Sequence, residues 1–277
     1  MALFNIHEDY WDRPLEGNDD ENHIPRFWAR VLSGLFSFVC KVFFRFRVEN
    51  QDIIRAFKGK TTGAVIVSPH VSYFDVVAMF VSVRPGQWVR LMGRDTLFAA
   101  AGGWLGTVIS HAGAFPVKRN TADLAALKRA ARMLKNGELV GVFPEGTRRG
   151  KGTGANAIHG GAALVARMGK APLVPLGLEN LDKVKPKGKL LGFPRITARF
   201  GTPVALSSFD FLPKEERLDA CSWYVLRESF ALSRNVKPEE VDMVVLFPES
   251  KDYTAVFAEH RIEPFDPSSL KDYEPKN

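Results

Sequence analysis

The segment that most constrains the fold is residues 64–83, with the sequence AVIVSPHVSYFDVVAMFVSV. It opens with four small or β-branched apolar residues, a pattern that predicts a buried strand. Pro69 ends that strand, because proline lacks a backbone N–H and restricts the residue before it. From about Phe74 the apolar spacing becomes helical. His70 and Asp75 therefore lie at a strand-to-helix junction, where α/β folds usually form their sites.

The imidazole and the carboxylate of this segment can meet only if the turn between strand and helix is tight. In that case Asp75 fixes the tautomer of His70 and stabilises its protonated form, which makes a competent general base. The alternative is a surface pair or a helix cap. The two residues alone do not decide between these interpretations, so the rest of the chain has to.

Composition and charge narrow the class of protein. The chain has 277 residues, 45% of them hydrophobic, which suits one large α/β domain with appendages. Two cysteines without metal-ligand spacing indicate a reduced, intracellular protein, and the acidic N-terminus does not resemble a signal peptide. Residues 1–22 and 210–277 each sum to −6, whereas residues 23–209 sum to +19. Such a centre attracts an anionic bilayer or a phosphorylated substrate, and nucleic acid is disfavoured because no nucleic-acid-binding motif occurs.

Residues 23–48 contain five basic residues and no acidic one. As a helix they place the polar side chains on one third of the circumference and apolar ones elsewhere; the polar set is Arg26, Arg30, Ser33, Ser37, Lys41 and Arg45. One interpretation is a core helix packed on the sheet. The other is an amphipathic helix in the membrane interface, at the cytoplasmic face of the cell membrane. The uncharged run Val31–Cys40 is too short to span a bilayer, so we expect a peripheral protein.

The remaining segments alternate between strand and helix patterns. Strands are predicted at 88–93, 111–120, 139–142, 171–180 and 195–204, and helices at 94–110, 121–136 (with Thr121 as N-cap), 156–169 and 214–233. This alternation predicts an α/β fold with a mixed, largely parallel central sheet flanked by helices. The predicted organisation is an acidic N-terminal segment (1–22), an amphipathic membrane-associating helix (23–48), an α/β domain (49–209) and an acidic C-terminal accessory region (210–277).

Two basic segments follow predicted strands. FPVKR at 115–119 and FPEGTRRGKGTG at 143–154 would place Lys118, Arg119 and Arg148 at one sheet edge, suited to gripping a phosphate. The second segment fails the nucleotide-binding pattern G-x-x-x-x-G-K-[ST], so ATP chemistry is not supported. Glu145 would either order the side chain of Arg148 or contact a hydroxyl group of a glycerol-like acceptor. Read alone, the segment is equally consistent with a solvated basic loop.

The order of four segments resembles the conserved blocks of the glycerolipid acyltransferases. These segments are His70-x-x-x-x-Asp75, GAFPVKR at 113–119, FPEGTR at 143–148 and APLVP at 171–175. The resemblance covers about residues 50–205 and is strongest to the bacterial 1-acyl-sn-glycerol-3-phosphate (lysophosphatidate) acyltransferases. FPEGTR is the most specific block. Pro69 stands where many members have Asn.

That resemblance implies a chemistry and a set of site residues. His70 would deprotonate the free hydroxyl of lysophosphatidate, Asp75 would orient the imidazole, and the alkoxide would attack an acyl thioester directly. Ser72 lacks the G-x-S-x-G context of hydrolases and is interpreted as a structural residue of the turn. No metal or cofactor is expected; the co-substrate is acyl-CoA or acyl-carrier protein. The residues implied in acceptor binding are Lys118, Arg119, Glu145, Gly146, Thr147 and Arg148.

Three other functions remain open at this level. The same chemistry on another lysophospholipid or a lyso-aminolipid differs only in the headgroup, which arginines do not report. A non-enzymatic protein that binds anionic lipids would need residues 23–48 but not the His70–Asp75 pair. A serine esterase is disfavoured by the missing nucleophile elbow.

Overall fold

The computed structural model describes residues 6, 8–15, 24–118, 123–145, 158, 160–184 and 192–273. Within these residues the helices are α1 (Glu8–Asp12), α2 (Arg26–Phe44), α3 (Gln51–Arg55), α4 (Phe74–Ser82), α5 (Asp95–Ala99), α6 (Trp104–His111), α7 (Leu124–Lys135), α8 (Gly161–Gly169), α9 (Arg217–Arg234), α10 (Met243–Leu246) and α11 (Thr254–Glu259). The strands are β1 (Arg47–Glu49), β2 (Val65–Val67), β3 (Val89–Arg94), β4 (Phe115–Val117), β5 (Leu139–Val142), β6 (Leu173–Glu179) and β7 (Thr197–Phe200).

The seven described strands form one sheet in the order β1-β7-β6-β2-β5-β3-β4. Every neighbouring pair is parallel except β6 and β7, which run antiparallel. The predicted mixed, largely parallel sheet with flanking helices is therefore confirmed. Strand β2 occupies the centre, with Val67 in register with Val142 on β5 and Pro175 on β6.

The core lies on both faces of the sheet, as a parallel sheet covered by helices requires. All three residues of β2 are buried, and they alternate between the two faces. Ile66 belongs to the cluster that contains Met79 of α4. Val65 and Val67 belong to the other cluster, which contains residues of α7, α8 and α9. An uninterrupted apolar run on β2 is the sequence signature of this two-sided burial.

Three predicted element boundaries differ from the observed ones. The helix expected over 23–48 ends at Phe44, because Arg45 adopts a left-handed conformation, and Arg47–Glu49 then pairs with β7 as β1. The strand expected over 111–120 is limited to Phe115–Val117, because α6 continues to His111. Helix α7 begins at Leu124 with the Asp123 side chain as its N-cap; the predicted cap, Thr121, lies outside the described residues.

The C-terminal helix α9 corresponds to the helix predicted near 214–233 and packs against the sheet. The hydroxyl of its Ser229 donates a hydrogen bond to the carbonyl of Val67 at 3.0 Å. The side chains of Cys221 and Val225 join the same core cluster as β2. Residues from the region 210–277 thus complete the core of the sheet, while the predicted domain boundaries stay a prediction.

Residues 8–15, here called the N-terminal arm, also pack on the domain. Leu15 is fully buried, and its N–H donates to Glu138 at 2.7 Å. The buried guanidinium of Arg90 donates to the backbone carbonyls of Trp11 and Arg13, each at 2.8 Å, and forms an ion pair with Glu138. A buried ion pair with several added hydrogen bonds therefore holds part of the acidic N-terminal segment in place.

None of the helices that the structure describes combines the length and the apolarity needed to cross a membrane.

Candidate active site

His70 and Asp75 meet at the carboxyl end of the central strand. Strand β2 ends at Val67, the chain turns through Pro69, and α4 begins at Phe74 with Asp75 in its first turn. The Nδ1 atom of His70 lies 2.8 Å from Oδ2 of Asp75. The turn is therefore tight enough for the two side chains to hydrogen-bond, as the general-base hypothesis requires.

The Asp75 carboxylate is fully buried and well supplied with hydrogen-bond donors. Its Oδ2 atom also accepts from the backbone N–H groups of Val71 at 2.7 Å and Ser72 at 2.8 Å. Burial raises the pKa of Asp75, and the hydrogen bonds from His70, Ser72 and Val71 act in the opposite direction. When Asp75 is ionised it can only accept hydrogen bonds, and a neutral His70 then carries its proton on Nδ1 and leaves the lone pair of Nε2 for a substrate.

Ser72 serves the turn. Its hydroxyl oxygen accepts the backbone N–H of Phe74 at 3.2 Å, at the start of α4. Such side-chain-to-backbone bonds satisfy the donors of a first helical turn. The structural interpretation of Ser72 agrees with this contact.

Phe143 is a site residue that the sequence reasoning did not single out. It follows β5 directly, and its ring stacks on the His70 imidazole with centroids 4.5 Å apart. The contact arises because β5 lies next to β2, so that residues just beyond Val142 and Val67 are neighbours. Phe143 opens the FPEGTR block, and that position was the available signal for its involvement.

Glu145 is buried two residues beyond Phe143, at the same end of the sheet. The block that contains it therefore begins beside the His70–Asp75 pair. Gly146, Thr147 and Arg148 lie outside the described residues, so the predicted contact between Glu145 and Arg148 stays a prediction.

Lys118 lies at the same edge of the sheet as His70 but not beside it. It follows β4, and β3 and β5 separate that strand from β2. Three strand spacings amount to about 14 Å. The side chain of Lys118 is exposed, and its backbone N–H donates to Asp123 at 2.9 Å. Arg119 lies outside the described residues.

The described residues contain no group of three or more His, Cys, Asp or Glu side chains that could hold a metal ion. What the site offers instead is a buried carboxylate, an oriented imidazole and an aromatic ring against the imidazole face. This arrangement suits proton transfer from a substrate hydroxyl.

Comparisons with known proteins identify the family of this chain. A sequence model of the acyltransferase family matches residues 45–179, which include the His70–Asp75 pair and the Phe143 segment. A 1-acyl-sn-glycerol-3-phosphate acyltransferase of Bacillus subtilis is 33% identical over 63% of this chain and 81% of its own length. The enzyme of that name from Streptococcus pneumoniae is 28% identical over 58% of this chain and 54% of its own length.

The fold is also shared with a solved structure, the crystal structure of the 1-acyl-sn-glycerophosphate (LPA) acyltransferase PlsC from Thermotoga maritima. The two superpose with a TM-score of 0.53 and 19% identity, covering 76% of this chain and 80% of the other. This match concerns the fold, whereas the Bacillus match covers most of a curated enzyme at the sequence level. The chain is therefore a member of the acyltransferase family to which the 1-acyl-sn-glycerol-3-phosphate acyltransferases belong.

Proposed function

We propose that this acyltransferase moves a fatty acyl group from a thioester donor, acyl-CoA or acyl-carrier protein, to the free hydroxyl of lysophosphatidate. The product is phosphatidate, used in phospholipid synthesis. The observation that carries the proposal is the 2.8 Å contact between His70 and the buried Asp75, which leaves Nε2 of the imidazole as a base. The names of the related enzymes support lysophosphatidate as the acceptor.

The reaction needs one proton relay and no acyl-enzyme. Nε2 of His70 removes the proton of the acceptor hydroxyl as its oxygen attacks the thioester carbonyl. The C–S bond breaks, and the departing thiolate takes the proton back from the imidazole. Asp75 holds the ring and balances its transient positive charge. The Ser72 hydroxyl supports the turn before α4, so it is not needed as a nucleophile.

The acceptor phosphate is assigned to basic residues of the segments that follow β4 and β5 in the chain. Arg148 is five residues beyond Phe143 in the chain, and Phe143 touches His70. Lys118 and Arg119 follow a strand about 14 Å away from β2. From the family resemblance we assign the phosphate to Arg148 and Arg119, with Lys118 at the margin and with Glu145, Gly146 and Thr147 shaping the pocket.

Helix α2 is proposed to rest in the membrane interface, on the cytoplasmic face. One side of α2 packs on the domain through Ala29, Cys40 and Phe44, which are buried. The outer side carries an apolar stripe, exposed in every member: Phe27, Val31, Leu35, Phe38 and Val42. An exposed run of this kind marks a contact surface.

The contact between α2 and α4 connects this surface to the site. Phe44 lies against Phe74, the first residue of α4, with ring centroids 4.7 Å apart. Asp75 is the next residue along α4. A bilayer that holds the apolar stripe therefore lies near the site at which a lipid acceptor has to arrive.

The proposed activity can be tested with purified protein in detergent. Lysophosphatidate, other lysophospholipids and a lyso-aminolipid are offered with acyl-CoA or acyl-carrier donors, and products are identified by mass spectrometry. We expect phosphatidate from lysophosphatidate and none with the His70→Ala variant. If another acceptor is acylated in preference, that acceptor and not lysophosphatidate is the substrate. Equal product from wild type and His70→Ala would overturn the mechanism.

A further inference from the structure

A groove of about 490 Å³ separates the polar side of α2 from the turn that follows α4. Five of its lining residues come from α2, at spacings that keep them on one side of the helix, and the others come from the segment through β1, from α3, and from the end of α4 with the turn after it. The polar members are Arg30, Ser33, Ser37 and Lys41 on α2, with Gln51 and Arg84 on the other wall. The polar side of α2 therefore forms a walled groove and not a flat charged stripe.

The charged side chains that line this groove are all positive. Arg30 and Lys41 make no ion pair with any described residue, and none of the lining residues carries a carboxylate. On the opposite wall the Arg84 guanidinium lies 3.9 Å from the centroid of the Trp88 ring and donates to the carbonyl of Gln87. Cations with hydroxyl groups between them, and no acid among the lining residues, suit an anion with several acceptor oxygens.

The groove is separate from the site of acyl transfer. It meets α4 near Val81, whereas Asp75 is in the first turn of that helix. Six residues of helix correspond to about 9 Å.

The groove does lie beside the apolar stripe of α2. At about 100° per residue, Arg30, Ser37 and Lys41 point roughly a quarter of a turn away from Phe27, Leu35 and Phe38. If the stripe sits among acyl chains, the adjacent groove sits at the level of the headgroups. A phosphate at that level is part of a lipid.

We propose that this groove binds the phosphate-bearing headgroup of an anionic membrane phospholipid that is not the acyl acceptor. The proposal rests on the proposed membrane contact of α2 but not on the identity of the substrate. The bound lipid would fix the rotation of α2 against the bilayer. A groove for the headgroup also distinguishes this site from general attraction of a basic protein to a negative surface.

The test measures vesicle binding without any thioester, so that its outcome does not depend on acyl transfer. Wild-type protein is mixed with phosphatidylcholine vesicles, or with the same vesicles containing about one fifth phosphatidylglycerol. Binding to neutral vesicles measures the contribution of the apolar stripe. The gain in vesicle affinity when phosphatidylglycerol is present measures the recognition of anionic lipid. We expect a gain of roughly thirtyfold from two cations. If the wild type shows no gain in affinity, the proposal is overturned, whereas the hypothesis that the apolar stripe contacts the membrane is unaffected.

Two variants and a matched control locate the gain. Arg30→Gln with Lys41→Gln should lose most of it, whereas Lys128→Gln with Lys135→Gln, the same charge change at exposed positions of α7, should keep most of it. Gly34→Leu fills the groove without removing charge; a Cβ there meets no atom within 4 Å, so the fold should tolerate it. We expect Gly34→Leu to lose the gain as well.

The opposite results are equally informative. The proposal would be overturned if the α7 control lost as much of the phosphatidylglycerol-dependent binding as the groove variant. It would also be overturned if Gly34→Leu kept all of that binding. Either result would indicate a general attraction between a basic protein and a negative surface. Thermal melting of each variant confirms that it is folded. Soluble inorganic phosphate is added as a further arm: because the proposal requires a lipid, millimolar phosphate should leave vesicle binding almost unchanged at constant ionic strength, and complete competition would assign the groove to a free anion.

Discussion

The imidazole of His70 lies against the phenyl ring of Phe143, with an angle of 26° between the ring planes and 4.5 Å between centroids. The two residues are 73 positions apart in the chain and meet because β2 and β5 are neighbours. The ring covers one face of the imidazole, while Asp75 holds its Nδ1 edge. The contact on the ring face and the hydrogen bond at the ring edge together leave the base little freedom to rotate.

Removing the Phe143 ring should slow the reaction without weakening acceptor binding. An aromatic contact of this kind is worth about 0.5–1.5 kcal/mol, or roughly three- to tenfold in rate. We expect Phe143→Ala to lower kcat by about that factor, with KM for the acceptor nearly unchanged. Phe143→Tyr keeps the stacking ring and should restore most of kcat. An unchanged kcat in Phe143→Ala would mean that stacking does not position His70.

Asp75→Asn should separate activity from stability. Asn holds the imidazole less firmly and cannot balance its charge, so we expect turnover to fall by about 10²–10⁴-fold. The Oδ1 atom of Asp75 has no hydrogen-bond partner among the described residues, so an amide group fits there without breaking a bond. Near-full activity in the Asn variant would contradict the role of the carboxylate.

The stability of the Asp75→Asn variant should depend on pH in a defined direction. Because burial raises the pKa of Asp75, the folded protein binds this proton more tightly than the unfolded chain. The bound proton on Asp75 therefore stabilises the folded wild type at low pH. The free energy of unfolding loses this stabilisation as pH rises above 3.8, the ordinary pKa of an aspartate. Between about pH 4 and pH 7, the Tm of the Asn variant should therefore rise relative to the Tm of the wild type. A shift in favour of the wild type would contradict it.

Arg148→Ala and Arg119→Ala should weaken acceptor binding selectively. A charge-assisted contact to phosphate is worth about 1.5–3 kcal/mol, or roughly ten- to a hundredfold in affinity. We expect KM for lysophosphatidate to rise by such a factor and KM for the thioester to stay nearly constant. Lys128→Ala, on the exposed side of α7, is the matched control. A rise confined to the thioester KM would assign these arginines to the donor.

Loss of the Arg90 guanidinium should destabilise the whole domain. Arg90 and Glu138 are almost fully buried, and Arg90 also donates to carbonyls of the N-terminal arm. Arg90→Met leaves a buried carboxylate without its cation, which costs about 3–5 kcal/mol of unfolding free energy. Adding Glu138→Gln removes that charge but keeps an acceptor for the N–H of Leu15, so it should recover part of the loss. Urea denaturation measures both, and a near-wild-type Arg90→Met midpoint would show that the arm contributes little.

The apolar stripe of α2 should be required for membrane binding and not for folding. Phe27 is 65% exposed and Leu35 is 55% exposed, so Phe27→Asp with Leu35→Asp places its carboxylates in solvent. We expect a cooperative, near-wild-type melt together with release from vesicles. The control is Ala29→Asp on the buried side of α2, which should lose the folded baseline. If the double variant unfolds, or remains bound to vesicles, the interfacial position of α2 is wrong.

Local sequence patterns determined the parts of this protein that depend on neighbouring residues. A β-branched run, a proline and a helical period placed His70 and Asp75 on either side of one turn, five residues apart, and a tight turn is enough to join them. The alternation of strand and helix patterns likewise predicted an α/β fold, because each pattern reflects the burial of a single element. The resemblance of four short blocks to an acyltransferase family needed no tertiary information either.

Only the tertiary structure decided which strands are neighbours, and the remaining features follow from that order. It brought Phe143 onto His70 and placed Lys118 three strands away, although both follow strands that end at the same edge. It joined Arg90 and Glu138 beneath the N-terminal arm, and it enclosed the polar side of α2 in a groove. Strand order depends on long-range packing that lowers the free energy of the whole sheet, and no local pattern of one segment records it.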